Sequence, residues 1–159
     1  MAEIEAADEA GIKLEITEGL PTWEFHPGLT HQLVIGAVYR SVKRTKRAGK
    51  CACLPVEDLL IRFPDGSLKR PDLSIFCETP AEKVEAVTSI PAAVVEVVSA
   101  GSGIKDLQLN PPFYLKHGVL DVIVLDPASG KAALFTAQGR TELNLPTRLE
   151  LQCGCSIAL

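Results

Sequence analysis

The segment Pro91–Val98, with the sequence PAAVVEVV, decides the fold of this chain. It is too short for a buried helix and is rich in β-branched residues, so it predicts a buried strand. One acidic residue, Glu96, interrupts the apolar run. A carboxylate buried in such a strand is costly unless a cation, a proton or a metal accompanies it. Glu96 therefore indicates a charged partner or a bound ion.

A second acidic residue is placed in a similar way. Asp72 follows Pro71 and opens the apolar run 73–77. Two acids on neighbouring core strands can converge on one point, so Asp72 and Glu96 form the main candidate site. The alternative is a structural salt bridge, and the nearby cations that could form it are Lys69, Arg70 and Arg62.

The size and composition of the chain predict one globular domain, residues 1–159, with residues 1–11 as a flexible tail. The chain is 47% hydrophobic and 23% charged, which is ordinary for a globular protein. The acidic N-terminus has no apolar signal core, and no segment is long enough to span a membrane. We therefore expect a cytoplasmic protein without membrane contact, in which the five cysteines stay reduced.

Apolar periodicity predicts a mixture of strands and helices. The predicted helices are a long one over about Leu29–Ala48, with Thr30 as N-cap, and a short one that begins at Asn110. Core strands are predicted around 56–63, 72–77, 91–98 and 119–125, a hairpin partner at 131–137, and a final strand pair at 140–145 and 148–155. This order predicts an α/β (α+β) fold with a central mixed sheet flanked by helices and an added C-terminal β-hairpin.

The formal net charge of −4 conceals one basic region. On the predicted long helix, four cations are spaced three and four residues apart: Arg40, Lys43, Arg44 and Arg47. They form either a solvated helix face or a surface that contacts DNA phosphates.

The cysteines include two Cys-x-Cys pairs, Cys51 with Cys53 and Cys153 with Cys155, while Cys77 stands alone. On a strand, this spacing places both thiols of a pair on one face. Four thiolates can bind zinc, but the spacer is shorter than is usual in zinc sites. The favoured interpretation is small buried hydrophobic residues.

Several motifs, taken in order, resemble the Uma-two family of the PD-(D/E)XK nuclease superfamily. The resemblance covers about Gly19 to Pro127. It rests on His31-Gln32, Arg70-Pro71-Asp72, Glu96-Val97-Val98-Ser99, Asp106, Tyr114, Gly118-Val119 and Asp126-Pro127. It implies a restriction-endonuclease-like core and a metal-dependent endonuclease that acts on DNA.

The resemblance also implies roles for single residues. Asp72 and Glu96 would bind Mg²⁺ or Mn²⁺, and His31 would lie beside them. The family's catalytic lysine would stand at position 110, where this chain has Asn110. Asn110 lacks a positive charge and also suits a helix cap. Lys105 is the nearest substitute, because Lys116 would point away from the site.

Two functional classes therefore remain open. The first is a metal-dependent DNA endonuclease whose activity is weakened by the absence of the family lysine. The second is a catalytically inactive nuclease-fold protein that binds or organises a partner. The intact acid pair favours the first class, and Asn110 favours the second. The sequence leaves open whether the chain forms a homodimer.

Overall fold

The computed structural model describes residues 2–81, 86–99 and 105–159. Within these residues the helices are α1 (Ala2–Glu9), α2 (Leu29–Ser41) and α3 (Asn110–Lys116). The strands are β1 (Ile12–Thr17), β2 (Leu20–Phe25), β3 (Lys43–Arg44), β4 (Leu54–Glu57), β5 (Ile61–Arg62), β6 (Leu68–Lys69), β7 (Leu73–Phe76), β8 (Ala93–Val97), β9 (Asp121–Asp126), β10 (Lys131–Thr136), β11 (Gly139–Asn144), β12 (Arg148–Glu150) and β13 (Cys155–Ala158). A 3₁₀ turn covers Lys46–Ala48, and a π-helical turn covers Lys105–Leu109.

The central sheet has the order β11-β10-β9-β8-β7-β4 among the described strands. Strands β8 and β9 are parallel, with Glu96 beside Val124, and the other neighbours are antiparallel. A parallel pair requires a crossover connection, and α3 lies in it. The predicted α/β (α+β) class with a central mixed sheet is confirmed.

Helices cover both faces of this sheet, as predicted. Val95 of β8 packs in the same apolar cluster as Ile35 of α2. Val94 packs in the opposite cluster with Phe113 of α3. Because side chains alternate along a strand, Glu96 shares the face of Val94 and is directed toward α3.

Two smaller sheets flank the central one, with the orders β2-β1-β6-β5 and β12-β13-β3 among the described residues. The predicted final strand pair is wrong in its partners. A tight turn joins β10 directly to β11, so these two strands pair, and the chain then crosses to the third sheet, where β12 pairs with β13.

Helix α2 starts at Leu29 as predicted, but its C-terminal end and its N-cap differ from the prediction. The helix ends at Ser41 rather than Ala48, because Val42 is extended (φ −60°, ψ 125°) and β3 then pairs with β13. The apolar repeat continues beyond the helix, so periodicity alone overestimated its length. At the start, Gly28 rather than Thr30 is the N-cap, and no side chain caps the helix.

Residues 2–9, which the sequence placed in a flexible tail, form the helix α1. Ile4 is buried in a cluster with Leu60 and Leu68. Asp8 accepts two hydrogen bonds from the guanidinium of Arg70, at 2.7 and 2.8 Å. Apolar burial and this ion pair anchor the helix to the strands behind it. None of the described helices is long and apolar enough to cross a membrane.

All five cysteines lie in the described part of the chain, and they come together at one place. Disulfides join Cys51 to Cys77 and Cys53 to Cys155, and Cys153 is free. The expectation of reduced thiols is therefore wrong for four of them. The reason is tertiary: folding brings residues 51–53, the end of β7 and the turn before β13 into contact.

Candidate active site

The two candidate acids converge on neighbouring strands. Asp72 immediately precedes β7, and Glu96 lies in β8, where Leu73 is the partner of Val95. The backbone N–H of Asp72 donates to Glu96 Oε2 at 3.1 Å. Glu96 is only 4% exposed. The convergence predicted from the sequence is therefore present in the fold.

Asp72 is held by three donors. Lys13 Nζ donates to Oδ1 at 3.0 Å, and the N–H of Val97 donates to Oδ2 at 2.9 Å. His31 Nε2 lies 3.0 Å from Oδ2. Burial alone would raise the pKa of Asp72, but the hydrogen bond from His31 and the charge of Lys13 lower it below its ordinary value. Asp72 therefore stays ionised.

His31 reaches the site as the family resemblance implied. Its Nε2 lies 3.0 Å from Asp72 Oδ2 and 3.1 Å from the carbonyl oxygen of Val97. Both neighbours are acceptors, so Nε2 carries the proton. The Asp72 carboxylate and the Val97 carbonyl thus both accept from the same N–H group of His31.

Glu96 is held on its other side by α3. Tyr114 donates its hydroxyl to Oε1 at 2.8 Å, and Asn110 Nδ2 lies 3.3 Å from the same oxygen. Burial and the charge of Glu96 raise the pKa of Tyr114 well above its ordinary value, so the hydroxyl remains a donor. Tyr114, one of the residues on which the family resemblance rests, thus contacts the acid pair directly.

Asn110 is a buried member of the site rather than a side-chain cap of α3. Leu109 is the N-cap residue, and no side chain caps this helix. Asn110 Oδ1 instead accepts from Lys69 Nζ at 2.9 Å while its amide faces Glu96. The helix-cap interpretation is wrong, because the buried ammonium and carboxylate on either side compete for the Asn110 amide.

A second ion cluster adjoins the acid pair, and its central pair is fully buried. Lys69 and Glu15 are each 1% exposed and form a 2.7 Å ion pair. Lys105 Nζ lies 3.1 Å from Glu15 and 3.0 Å from Glu24. Burial alone would raise the pKa of Glu15, but the charges of Lys69, Lys105 and Lys13 lower it to about 2. Glu15 and Lys13 were not predicted as site residues. The alternating sequence of β1 is typical of an edge strand whose polar residues face solvent, whereas both residues are buried.

Lys105, the predicted substitute for the family lysine, pairs with Glu15 and Glu24 and lies close enough to Glu96 for their charges to interact. Burial alone would lower its pKa, but the charges of Glu15, Glu96 and Glu24 raise it above its ordinary value. Asp72 does form a salt bridge, but its partner is Lys13 and not one of the cations expected from the sequence. Arg70, one of those cations, pairs with Asp8 instead.

The four residues of the predicted basic helix face do not lie on one helix. Arg40 is on α2, Lys43 and Arg44 form β3, and Arg47 is in the 3₁₀ turn. Arg47 pairs with Glu150 at 3.1 Å. The prediction that these four cations form one face of a helix is wrong, because α2 ends at Ser41, before three of them. The contact of these residues with DNA stays a prediction.

A groove leads to the acid pair. A small cavity of about 10 Å³ is bordered by Asp72, Glu96 and His31. It adjoins an open groove of about 520 Å³ that Trp23, Phe25 and Lys105 help to line. Four residues border both spaces: Glu24, Phe25, Pro27 and Ser99. A large ligand in the groove could therefore present one group to the acids.

The donor atoms around the cavity fit a hard divalent cation. Asp72 and Glu96 supply carboxylate oxygens, and Val97 supplies a carbonyl oxygen. Mg²⁺ and Mn²⁺ prefer such ligands. The N–H of His31 bridges the Asp72 carboxylate and the Val97 carbonyl, so a cation that bound both oxygens would have to displace this N–H.

Comparisons with known proteins identify the family and the fold. The Uma2 family, described as "Putative restriction endonuclease", matches residues 1–153. The crystal structure of a putative nuclease belonging to DUF820 from Anabaena variabilis ATCC 29413 is similar, with a TM-score of 0.62 and 19% identity over 84% of this chain and 78% of that one. No curated protein matches the sequence. The fold and the family resemblance expected from the motifs are both confirmed.

Proposed function

Because this chain belongs to the Uma2 family of putative restriction endonucleases, we propose that it is a metal-dependent endonuclease that hydrolyses DNA phosphodiester bonds. The observation that carries this proposal is the convergence of Asp72 and Glu96 on one cavity beside an open groove. A cytoplasmic location remains a prediction, and the formation of a homodimer remains open.

Asp72, Glu96 and the Val97 carbonyl would hold Mg²⁺ or Mn²⁺. When bound, such an ion polarises the phosphate and acidifies a water molecule. Tyr114 and Asn110 fix one oxygen of Glu96, so the carboxylate cannot rotate away from the cavity. Lys13 fixes Asp72 in the same way and keeps it ionised. The protein thus supplies preorganised oxygen ligands, which is its main task in metal-assisted hydrolysis.

The groove suits a nucleic acid at its entrance. Trp23 and Phe25 are 64% and 74% exposed, and their ring centroids lie 5.9 Å apart. Bases stack on aromatic side chains of this kind. Lys105 is the cation that lines the groove beside them and would meet a phosphate. Arg40 follows His31 by nine residues on α2, about 14 Å along the helix, where it could meet a neighbouring phosphate.

The absence of a lysine at position 110 has a specific consequence in this fold. A lysine side chain there would meet the ammonium of Lys69, which now bonds to Asn110. Asn110 instead connects Lys69 to Glu96 and leaves Lys105 as the cation next to the substrate. We therefore propose weak cleavage that depends on Lys105.

We expect Lys105→Ala to reduce DNA cleavage by about 10²- to 10³-fold, because it removes the preorganised positive charge that lines the groove beside the acid pair. The measurement is the rate of nicking of supercoiled plasmid with Mg²⁺. Lys116→Ala is the matched control, since Lys116 lies on the surface and pairs with Glu18. Equal rates for native protein and Lys105→Ala would remove Lys105 from the mechanism.

A catalytically inactive binding protein is the second candidate, and Asn110 in place of the family lysine favours it. The acid pair distinguishes the two, because only the first candidate needs an ion there. We expect millimolar Mn²⁺ to raise the melting temperature of the native protein, since binding to the folded state alone stabilises it. Glu96→Gln should abolish this rise. An equal rise in both proteins would mean that the acids are purely structural.

A further inference from the structure

The five cysteine sulfurs form one cluster, which contains none of the residues of the candidate active site. Cys51 Sγ lies 3.7 Å from Cys155 Sγ, and Cys153 Sγ lies 3.3 Å from Cys155 Sγ. The sulfurs of these three residues all lie within 4.8 Å of one another. Each of the remaining two cysteines is bonded to a member of this trio, Cys77 to Cys51 and Cys53 to Cys155.

We propose that this cluster is a redox-gated zinc site. In the structure described here, four of the five sulfurs are in disulfide bonds and cannot act as thiolate ligands. When both disulfides are reduced, Cys51, Cys153 and Cys155 provide three thiolates, and one released thiolate, from Cys53 or Cys77, completes a tetrahedral set. The ligand class is a thiolate-binding d¹⁰ cation, with Zn²⁺ as the ion that matches four sulfur donors.

The spacing supports a tetrahedral centre. Four sulfurs placed about 2.3 Å from a zinc ion are separated from one another by roughly 3.8 Å. The Cys51–Cys155 separation of 3.7 Å already has this value without a bond between the two sulfurs. The Cys153–Cys155 separation of 3.3 Å needs to open by only about half an ångström.

The surrounding structure fixes the donors. Cys155 opens β13, and its register partner in β3 is Arg44. Gly154, between the two cysteines of the turn, has φ +81°, and an added Cβ would collide with the backbone of Arg47 and Ala48. Only glycine therefore allows the Cys153-Gly154-Cys155 turn to dock on the 3₁₀ segment. The trio is thus positioned by backbone packing and not by the disulfides alone.

Access also suits the proposal. Cys51 and Cys155 are buried, whereas Cys153 is partly exposed and offers a route for the ion and the reductant.

The redox step is balanced by an external dithiol. Each protein disulfide takes two electrons and two protons from one dithiol, which itself becomes a disulfide, and yields two protein thiols. Zinc binding then releases the thiol protons to solvent without any change in the oxidation state of zinc. The sulfur site and the oxygen site of Asp72 and Glu96 would select different cations, soft and hard respectively.

The test uses the full chain, reduced without oxygen by a dithiol and then freed of reductant, with all five thiols counted as free. Co²⁺ serves as the spectroscopic probe, and we expect the absorption of a tetrahedral cobalt–thiolate centre at one ion per chain, lost on addition of Zn²⁺. The oxidised chain should give no such signal. Cys51→Ser and Cys155→Ser should lose it, and Glu96→Gln should keep it.

A second readout does not depend on folding of the variants. In the reduced native chain, Zn²⁺ should protect Cys153, the partly exposed member of the trio, from alkylation by iodoacetamide, as measured by mass spectrometry of the peptides. The proposal is overturned if the fully reduced, folded chain gives no cobalt–thiolate signal and no protection. It is also overturned if the disulfides cannot be reduced without unfolding, or if Cys51→Ser with Cys155→Ser binds Co²⁺ like the native chain.

Discussion

Asp72→Asn should reduce the rate of plasmid DNA cleavage by at least about 10²- to 10³-fold in the presence of Mg²⁺. Asparagine has nearly the same shape as aspartate but lacks the negative charge that a divalent cation needs. It also places a neutral group between Lys13 and His31, both of which contact the carboxylate in the native protein. Glu96→Gln should have an effect of the same order, because both carboxylates face one cavity.

The matched control for these two variants is Glu142→Gln. It removes one negative charge from β11, the edge strand of the central sheet, where Glu142 is exposed. Its cleavage rate should equal that of the native chain. Far-ultraviolet circular dichroism would verify that each variant is folded. Cleavage by folded Asp72→Asn at the native rate would contradict the proposed active site.

The largest expected effect on stability comes from Glu15→Gln. Glu15 and Lys69 are almost fully buried, and removal of one member of such a pair leaves an uncompensated charge. Losses of about 3–5 kcal/mol are typical of this change. The measurement is the free energy of unfolding in urea with the disulfides intact. We expect a clear shift of the transition midpoint to lower urea concentration with little change in its slope.

The control uses an exposed ion pair of similar length. Glu18 lies 2.6 Å from Lys116 on the surface, and Glu18→Gln should leave the unfolding transition unchanged within error. A Glu15→Leu/Lys69→Met double variant should recover part of the loss, because it removes both buried charges. Equal stability of Glu15→Gln and the native chain would show that the buried cluster is not important for folding.

Acid titration gives the same prediction in another form. The pKa of Glu15 is lowered from 4.5 to about 2 in the folded chain. A group whose folded pKa is lowered stabilises the fold above its unfolded pKa and loses that contribution as the pH falls. The stabilisation from Glu15 should therefore be complete above pH 4.5 and decline from there toward pH 2. In Glu15→Gln this part of the stability–pH curve should be flatter.

The acid pair could be predicted from the sequence because its signals are local. A carboxylate within an apolar β-branched run is unusual, and the Pro-Asp start of the neighbouring strand placed Asp72 next to Glu96. The central sheet followed from the same alternation of strands and turns. These features depend on residues within a few positions of one another, which periodicity describes well.

The remaining parts of the site depend on contacts between distant segments. Lys13 and Glu15 alternate with Leu14 and Ile16, which is the pattern of a half-exposed strand, yet both polar residues are buried against the central sheet. Their partners Asp72 and Lys69 lie more than fifty residues away. No local pattern contains that information.

The length of α2 also depends on a contact between distant segments, which here shortened the element that the local pattern predicted. The valine repeat predicted a helix through Val42 and beyond, and intrinsic preference alone would allow it. The pairing of β3 with β13 ended the helix earlier, since it satisfies the backbone groups of Lys43 and Arg44 in another way. The same contact brought the cysteines of residues 51–53 and 153–155 together.

The most direct test of the central claim is a crystal structure of the native chain soaked in Mn²⁺, with anomalous diffraction recorded at the manganese absorption edge. We expect one strong anomalous peak within coordination distance of both the Asp72 and Glu96 carboxylates, with the Nε2 of His31 displaced from between Asp72 and Val97. A well-ordered site with no peak at saturating Mn²⁺, and with His31 still bonded to Asp72, would contradict it.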